Sequence, residues 1–407
     1  MSNSLLTIGM ITREAVRLWR NSNAFLQNVD MQYDDQYGVS GAKIGSSLRV
    51  RLPSDFTVTT GPNLAVQDTT EQSVTLTMAT QKHIDVGYST AERLLSLDDF
   101  SQRTLAPMVN NLAGAVAVDI MSGAEGGVCN FSANQDSGGN ILTPIASTFL
   151  NAGANLDTNS APIANRKIVN GPFTEARVIA SLAGLFNPAS VISEQYTNAR
   201  MYDALGFVWM KDQTTIAHTT GTLAQGSATV NGANQTGLAL TVNALAGTLN
   251  IGDIITIAGV YAVNRINKQN TGRLREFVVT ANVAGGATSI PIYPAIVPPV
   301  GGNVVAYQTV TASPANGAAV NQTSGVLPSV TYRKNIAYAP EAVTMVTGDL
   351  EIPGGIHEGA REAFDNVSMR MITVYVPGTD QMVTRLDVLY GWLWIKPEWA
   401  VAVADQV

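Results

Sequence analysis

The chain has 407 residues, enough for two or three domains, and 45% of them are hydrophobic, so a large core can be buried. Charged residues make up only 14%, below the roughly 25% of an average soluble domain. This indicates either a surface largely covered by other subunits or a neutral, β-rich monomer. A net charge of −7 argues against a protein whose main task is to grip nucleic acid, because such proteins are normally basic.

Cysteine content and hydropathy bear on the compartment. Cys129 is the single cysteine, so no intramolecular disulfide can form, which fits a reducing cytoplasm. The chain opens without a basic-then-apolar signal peptide, and it has no run of about 18 apolar residues. We therefore expect neither secretion nor a membrane span.

The first predicted element is an amphipathic helix from Ile11 to Leu26, with Thr12 as its N-cap. Arg13, Arg17 and Arg20 share the face opposite the apolar residues. That face is either a solvated basic surface or a lumen-facing arm that meets an acidic partner, a scaffold or packaged DNA.

A long extended hairpin follows. Its first strand alternates apolar and basic residues, the period-two pattern of a half-buried strand. The apolar positions are Leu48, Val50 and Leu52, and the basic positions are Arg49 and Arg51. The return strand begins at Val74 and continues toward Val86. The Thr-rich tip is poor in large apolar residues and a two-stranded ribbon is marginal in water, so we expect support from a neighbouring subunit, with inter-subunit salt bridges from Arg49 and Arg51.

A long helix is predicted next. Ser96 and Asp99 have the spacing of a capping box, and apolar residues recur at helical spacing from Leu105 to Ile120. Pro107 should kink this helix or mark the start of its regular part, and Gly123 ends it.

The following stretch combines a loop with mixed α/β sequence. Residues 130–162 are rich in Asn, Ser, Gly and Ala, which predicts a mobile loop. A short strand is predicted at 166–169 and helices at 175–186 and 191–201, with irregular to extended chain at 202–222.

Composition changes abruptly over residues 223–325. The segment holds six charged residues, which are Asp253, Arg265, Lys268, Arg273, Arg275 and Glu276. Short strands separated by turn signals are predicted at 239–242, 254–257, 276–280, 289–292 and 304–309. Their spacing indicates a small antiparallel barrel or sandwich, inserted between helix-bearing and mixed sequence.

The last segment, 326–407, is strand-rich, with strands at 371–376 and 385–395 and a short helix near His357. The tryptophans at 392, 394 and 399 form a late cluster, which we interpret as core rather than as a platform for stacked bases.

The sequence contains no recognisable catalytic or metal-binding motif. The sequence has no phosphate-binding loop and no nucleophile elbow. Its three histidines, His83, His218 and His357, lie in separate predicted segments, and none has a second His or Cys at ligand spacing. Cys129 lacks a local base. We therefore expect a structural protein with no catalytic residue, metal or cofactor.

The order of the predicted elements and several short stretches of sequence together resemble one protein family. The stretches are Trp209–Gln213, His218–Thr222, Gly252–Val260, Arg275–Val279, Ala337–Ala342, Ser368–Arg370, Arg385–Gly391 and Lys396–Glu398. In this order they are similar to the coat-protein family of the short-tailed Salmonella phage (P-twenty-two type). The likeness is strong from about 200 to 400 and weaker before that.

The resemblance implies a fold and a division into domains. The fold class is α+β, the HK-ninety-seven-like capsid fold of tailed phages, with peripheral and axial domains and an inserted β-barrel domain. The implied segments are the N-terminal arm (1–36), the extended-loop hairpin (37–90), the spine helix of the peripheral domain (91–135), the first part of the axial domain (136–222), the inserted barrel (223–325) and the closing strands (326–407).

The resemblance also implies a function. A major capsid protein would assemble as pentamers and hexamers in the host cytoplasm and reside in the virion. Its partners would be itself, a scaffolding protein and a portal during assembly, packaged double-stranded DNA through weak contacts, and a decoration protein as a further candidate.

Three other functions are alternatives to a capsid protein. An encapsulin-like nanocompartment shares the fold but is not expected to carry the inserted β domain. A β-rich adhesin or surface-layer protein needs a secretion signal. An enzyme with a scattered site would bind a small molecule or metal tightly as a monomer.

Overall fold

In the computed structural model the chain is described at residues 8–31, 47–63, 66–67, 71–89, 105–182, 201–302, 304–323, 327–364, 366–378 and 381–407. It divides into two compact units. Unit 1 comprises Met1–Arg51, Ser73–Ile120 and Val343–Ile395, and unit 2 comprises Leu52–Gln72, Met121–Ala342 and Lys396–Val407. Both contain helices and sheets, which confirms the predicted α+β class.

Unit 1 is built on a five-stranded antiparallel sheet around its longest strand, β21 (Gln381–Trp394). The strands paired with β21 are β3 (Thr80–Ser89), β18 (Val343–Gly348) and β20 (Val367–Val376). In β21, Leu386, Val388 and Tyr390 alternate toward the core, as the period of two predicts. The two strands predicted in this segment are thereby confirmed, and each extends further toward its N-terminus.

The helix predicted near His357 is wrong, because that stretch forms the edge strand β19 (Glu358–Phe364). Strand β19 pairs with β20 from Glu358, opposite Thr373, to Phe364, opposite Val367. Its Glu- and Ala-containing sequence favours a helix locally, but pairing with a neighbouring strand outweighs such weak preferences.

Helix α1 (Ile8–Ser22) confirms the amphipathic element, and it packs Ala15, Val16 and Trp19 into the core of unit 1. Thr12 is not its N-cap, because the helix begins at Ile8. The Thr12 hydroxyl instead donates to the Ile8 carbonyl oxygen at 2.7 Å, a bond within the helix interior.

Helix α2 (Ala106–Gly123) confirms the long helix, and the apolar residues from Leu105 to Ile120 line its buried face. Pro107 is its second residue, where the missing N–H is not needed, so it marks the start of the helix and not a kink. The predicted capping box at Ser96 and Asp99 lies outside the described residues.

The hairpin pairs β1 (Ser47–Arg51) with β2 (Ser73–Thr77) in antiparallel register. Val50 and Leu76 are buried against Val346 of the same unit. The base of the hairpin is therefore covered by other elements of its own unit.

Unit 2 contains a seven-stranded mixed sheet centred on β17 (Thr331–Tyr338) and β22 (Ala400–Gln406). The other strands are β4 (Asn130–Ser132), β7 (Lys167–Asn170), β8 (Asp203–Ala204), β9 (Phe207–Lys211) and β10 (Ile216–Thr219). Strands β5 (Asn134–Gln135) and β6 (Ile141–Leu142) form a separate small hairpin.

The mobile loop predicted at 130–162 is wrong, because it includes three short strands and helix α3 (Ala146–Thr158). Phe149, Ala152 and Leu156 lie on one face of α3 and are fully buried in the core of the sheet layer. The Asn and Gly content hides the helical spacing of these three buried residues.

A second helix of unit 2, α4 (Pro172–Leu182), corresponds to the helix predicted at 175–186. It starts earlier because Pro172 suits a first helical position. The helix predicted at 191–201 lies outside the described residues, apart from Met201, which is not helical.

The charge-poor segment forms a closed six-stranded barrel. Its strands are β11 (Ala228–Thr229), β12 (Gly237–Thr241), β13 (Ile254–Val263), β14 (Asn270–Val279), β15 (Ser289–Ile296) and β16 (Ala319–Gln322). They pair in the order β11-β16-β13-β14-β15-β12, and a bridge between Val230 and Val242 joins the two ends. The strand predicted at 304–309 is wrong: a turn from Gln308 N–H to the Val305 carbonyl occupies that stretch.

Candidate assembly surfaces

The hairpin arginines occupy one face of β1. Val50 points into the core, whereas Arg49 and Arg51 are exposed on the outer face, as the alternation predicted. Arg49 lies opposite Thr75 and Arg51 opposite Ser73, and the Arg49 Nε donates to the Ser73 hydroxyl at 2.7 Å. The structure thus brings the two arginines together on a polar outer surface.

The arm arginines have carboxylate partners in their own chain. The Arg13 guanidinium lies 3.4 Å from the Glu362 carboxylate and is 74% exposed. Arg17 binds Glu14 through both Nε, at 2.8 Å, and Nη2, at 2.7 Å. This hydrogen bonding raises the pKa of Arg17 and lowers that of Glu14. The Arg20 side chain lies outside the described residues.

Within unit 2 the hairpin tip is tied to the barrel. Arg265, in the turn between β13 and β14, lies 3.2 Å from the Asp55 carboxylate and 3.6 Å from that of Glu398. Beyond Asp55 the described part of the tip exposes three apolar side chains, Phe56 at 59%, Val58 at 97% and Val66 at 82%. Part of the support that we expected from a neighbouring subunit therefore comes from the same chain.

The charges of the barrel segment are concentrated where it meets the rest of unit 2. The contacts are Asp253 with His218, Arg265 with Asp55 and Glu398, Arg273 with Asn155, Arg275 with Asn159 and Glu398, and Glu276 with the Phe131 N–H. The sixth, Lys268, is buried and is attracted by Asp55. The remaining barrel surface carries no formal charge, a pattern that the sparse charges of the sequence could have signalled.

Two groups lie where the barrel meets the rest of unit 2, a boundary that we call the seam, and burial raises the pKa of both. Burial raises the pKa of the Cys129 thiol to about 12, and the nearby Arg275 does not offset it. A thiol in this state is a poor nucleophile. Burial also raises the pKa of Glu276 to about 7, although the Phe131 N–H favours the carboxylate by donating to it at 2.8 Å.

His218 was identified from the sequence, but its contacts were not. It lies in β10, and its ring contacts Glu125 and Asp253, which are 93 and 35 residues away in sequence. Gly252 allows this approach, because a Cβ there would lie 2.5 Å from the Glu125 Cγ, and its φ is +93°. The sequence signals were that His218 and the Gly252–Asp253 pair both lie in stretches that resemble the family.

Two negative findings apply to the described residues. None of the helices there is long and apolar enough to span a bilayer. In the same part of the chain, no three His, Cys, Asp or Glu side chains are grouped so as to hold a metal ion.

Comparison with known proteins gives a family. The sequence profile of the P22 coat protein, gene protein 5, matches residues 43–403. A comparison with curated proteins found no match. Among solved structures, the chain is similar to one titled "Mycobacterium phage Che8", at 10% identity and a TM-score of 0.48, over 94% of this chain and 90% of that one.

Two other solved structures are similar. The capsid of the cyanophage P-SCSP1u shares 12% identity over 89% of this chain and 84% of that chain, with a TM-score of 0.41. The CUS-3 coat protein I-domain shares 33% identity over 24% of this chain and 96% of that chain, with a TM-score of 0.19.

The matched residues span most of the chain, from the hairpin to the last strand, and they confirm the resemblance drawn from the sequence. The match favours a phage coat protein over a bacterial nanocompartment, an adhesin or an enzyme. The chain therefore belongs to the P22 coat protein family, and it is a major capsid protein of a bacteriophage whose place is the virion shell.

Proposed function

We propose that the chain assembles as pentamers and hexamers into the icosahedral shell around a double-stranded DNA genome. Unit 1, with α2 as its spine, would form the peripheral domain of the tailed-phage capsid fold. Unit 2 would form the axial domain together with the inserted barrel. The supporting observation is the hairpin: its inner face is occupied by its own chain, and its outer face presents two arginines.

Assembly requires many weak contacts that add up through multivalency. Arg49 and Arg51 suit such a contact because a guanidinium recognises a carboxylate through two parallel hydrogen bonds. Both are exposed on a strand whose position is fixed by Val50 on its other face. We infer that they pair with carboxylates of a neighbouring subunit.

The test reverses both charges with Arg49→Glu and Arg51→Glu. Neither side chain is in the core, so the subunit should stay folded and soluble, while shell formation falls at least about tenfold. Sedimentation through a sucrose gradient separates shells from free subunits. Lys211→Glu, a reversal at an exposed position of unit 2, is the control and should assemble. Normal shells from the double variant would contradict the proposal.

The arm is proposed to face the lumen, where Arg13, Arg17 and Arg20 would meet the scaffolding protein or the packaged DNA. Their helix is exposed on this side, and its other side anchors in unit 1. The pairs with Glu362 and Glu14 leave Arg13 and Arg17 exposed at 74% and 61%, so each can exchange its partner for a phosphate or another carboxylate.

Replacing all three arm arginines by alanine tests this role. We expect unchanged folding, because exposed ion pairs contribute at most about 1 kcal/mol, and a several-fold loss of scaffold-directed assembly or of packaged DNA. Assembly yield and the DNA content of the particles are the two measurements. If both equal those of the unaltered chain, the basic face is only solvated.

The portal and a decoration protein complete the proposed partners. The portal would replace a ring of subunits at one vertex. The decoration protein would bind the outer surface, for which the uncharged wall of the barrel is the candidate in unit 2.

A further inference from the structure

One buried imidazole connects the barrel to the turn after α2. His218 is 1% exposed, and both of its ring nitrogens face carboxylates. Its Nδ1 lies 2.8 Å from the Glu125 Oε1, and its Nε2 lies 2.9 Å from the Asp253 Oδ1. Asp253 directly precedes β13 of the barrel, so a single ring bridges two parts of unit 2.

The two contacts require more than a neutral ring. A neutral imidazole has one N–H and one lone pair, whereas an ionised carboxylate only accepts hydrogen bonds. The Asp253 side chain already acts as an acceptor, because its Oδ2 accepts the N–H groups of Gly221 at 3.0 Å and Asn250 at 2.7 Å. Both short contacts are therefore hydrogen bonds when the ring of His218 carries two protons.

The two carboxylates beside the ring outnumber the one buried ammonium. Lys334 of β17 is fully buried, and its ammonium donates to the Glu125 carbonyl oxygen at 3.3 Å. The ring of Tyr332, also in β17, stands edge-on to the imidazole at 5.3 Å between centroids. Two carboxylates, one ammonium and an imidazolium sum to zero, whereas a neutral imidazole leaves one uncompensated negative charge in a buried site.

We propose that His218 is a proton-dependent latch: its doubly protonated ring holds Asp253 of the barrel to Glu125, and loss of one proton opens this contact and loosens the base of the barrel. The barrel would then be firmly fastened to the rest of unit 2 under mildly acidic conditions and less firmly under alkaline ones.

The direction of the pH dependence follows from linkage. Burial and the nearby Lys334 ammonium oppose the charged ring, but the hydrogen bonds to Asp253 and Glu125 outweigh them, so the pKa of His218 is raised. The stabilisation is fully present below the ordinary His pKa of about 6.5 and is lost as pH rises through the raised value. Burial lowers the pKa of Lys334 to about 8, and its loss of a proton acts in the opposite sense, so it cannot imitate the effect.

The experiment is NMR of the full chain, labelled with ¹⁵N in histidine and in the backbone, at increasing pH until the ring of His218 has lost its proton. The chain has three histidines, and His218→Gln identifies the signals of His218. Near neutral pH we expect both ring nitrogens of His218 to be protonated. As the ring loses a proton, the amide protection of Gly221 and Asn250, corrected for intrinsic exchange, should fall about tenfold per pH unit.

The controls separate a latch from a merely structural histidine. His83→Gln removes an exposed ring that lies 3.1 Å from Asp85, and it should leave the protection profile unchanged. His218→Gln should make the profile flat. If His218→Gln does not fold, His83→Gln and His357→Gln assign the signals by subtraction, and the unaltered chain decides. An unprotonated nitrogen on His218 near neutral pH, or amide protection that ignores its titration, would overturn the proposal.

Discussion

Asp387 is the most heavily bound carboxylate of the sheet in unit 1. It is fully buried on β21, and Arg370 contacts it through both Nε, at 3.0 Å, and Nη2. Arg385 Nε and the Gln81 amide reach the same Oδ2 at 3.2 and 2.9 Å. A carboxylate with so many donors holds β3, β20 and β21 in register, because a shift of one residue would leave the buried charge of Asp387 without its partners.

We predict that Asp387→Ala destabilises unit 1 by about 3 kcal/mol, because it leaves two arginine side chains without their buried counterion. Urea unfolding followed by tryptophan fluorescence measures the loss. Glu14→Ala removes the exposed partner of Arg17 and should change stability by less than about 1 kcal/mol. Equal losses in the two variants would show that burial of the pair does not matter.

Sequence predicted residues well where the cause was local. The exposure of Arg49 and Arg51 followed from strand alternation, which needs no knowledge of tertiary structure. The surroundings of His218 could not be predicted, since one partner lies in a turn 93 residues before it and the other, Asp253, directly precedes a barrel strand 35 residues after it. The contact of Arg13 with Glu362, which lies 349 residues away, was beyond reach for the same reason.

Elements were predictable where their periodicity was strong. Helix α2 and strands β20 and β21 carry clear apolar repeats, and the structure has them. Helix α3 was missed because its few apolar residues are interspersed with Asn and Gly. Strand β19 was misassigned because only its pairing with β20 makes it a strand. Tertiary contacts decide such segments, and these contacts are not visible in a local window.

The barrel is the element most independent of its surroundings, because its main hydrophobic cluster is drawn entirely from residues 223–320. We predict that a fragment of residues 223–325 folds alone into a β structure with a cooperative thermal transition. The segment contains its own apolar core, and over its described residues its closed sheet leaves no edge strand without a partner. Far-UV circular dichroism and melting curves measure this.

Two substitutions in that fragment sharpen the test. Ile255→Asp places a charge in the centre of the cluster and should abolish the cooperative transition, whereas Ile266→Asp lies in an exposed turn, at 78% exposure, and should leave it. A fragment that shows no cooperative transition in its unaltered form would mean that the barrel needs the seam to fold.

The charges of the molecule are unevenly distributed. With only 14% charged residues, the chain uses several of its charges in internal ion pairs, such as Arg370 with Asp387 and Arg265 with Asp55. The barrel is left with an uncharged wall, and the hairpin and the arm with exposed arginines. Large neutral surfaces with a few placed charges suit repeated weak contacts, in which the charges select the partner and its orientation.

Electron microscopy of the full chain, expressed with and without a scaffolding protein, tests the central claim that this chain builds a shell. We predict closed particles of uniform size in the presence of the scaffold, with capsomers of five and six subunits in their reconstruction. Only free subunits or irregular aggregates in both preparations, from protein that remains folded by circular dichroism, would contradict it.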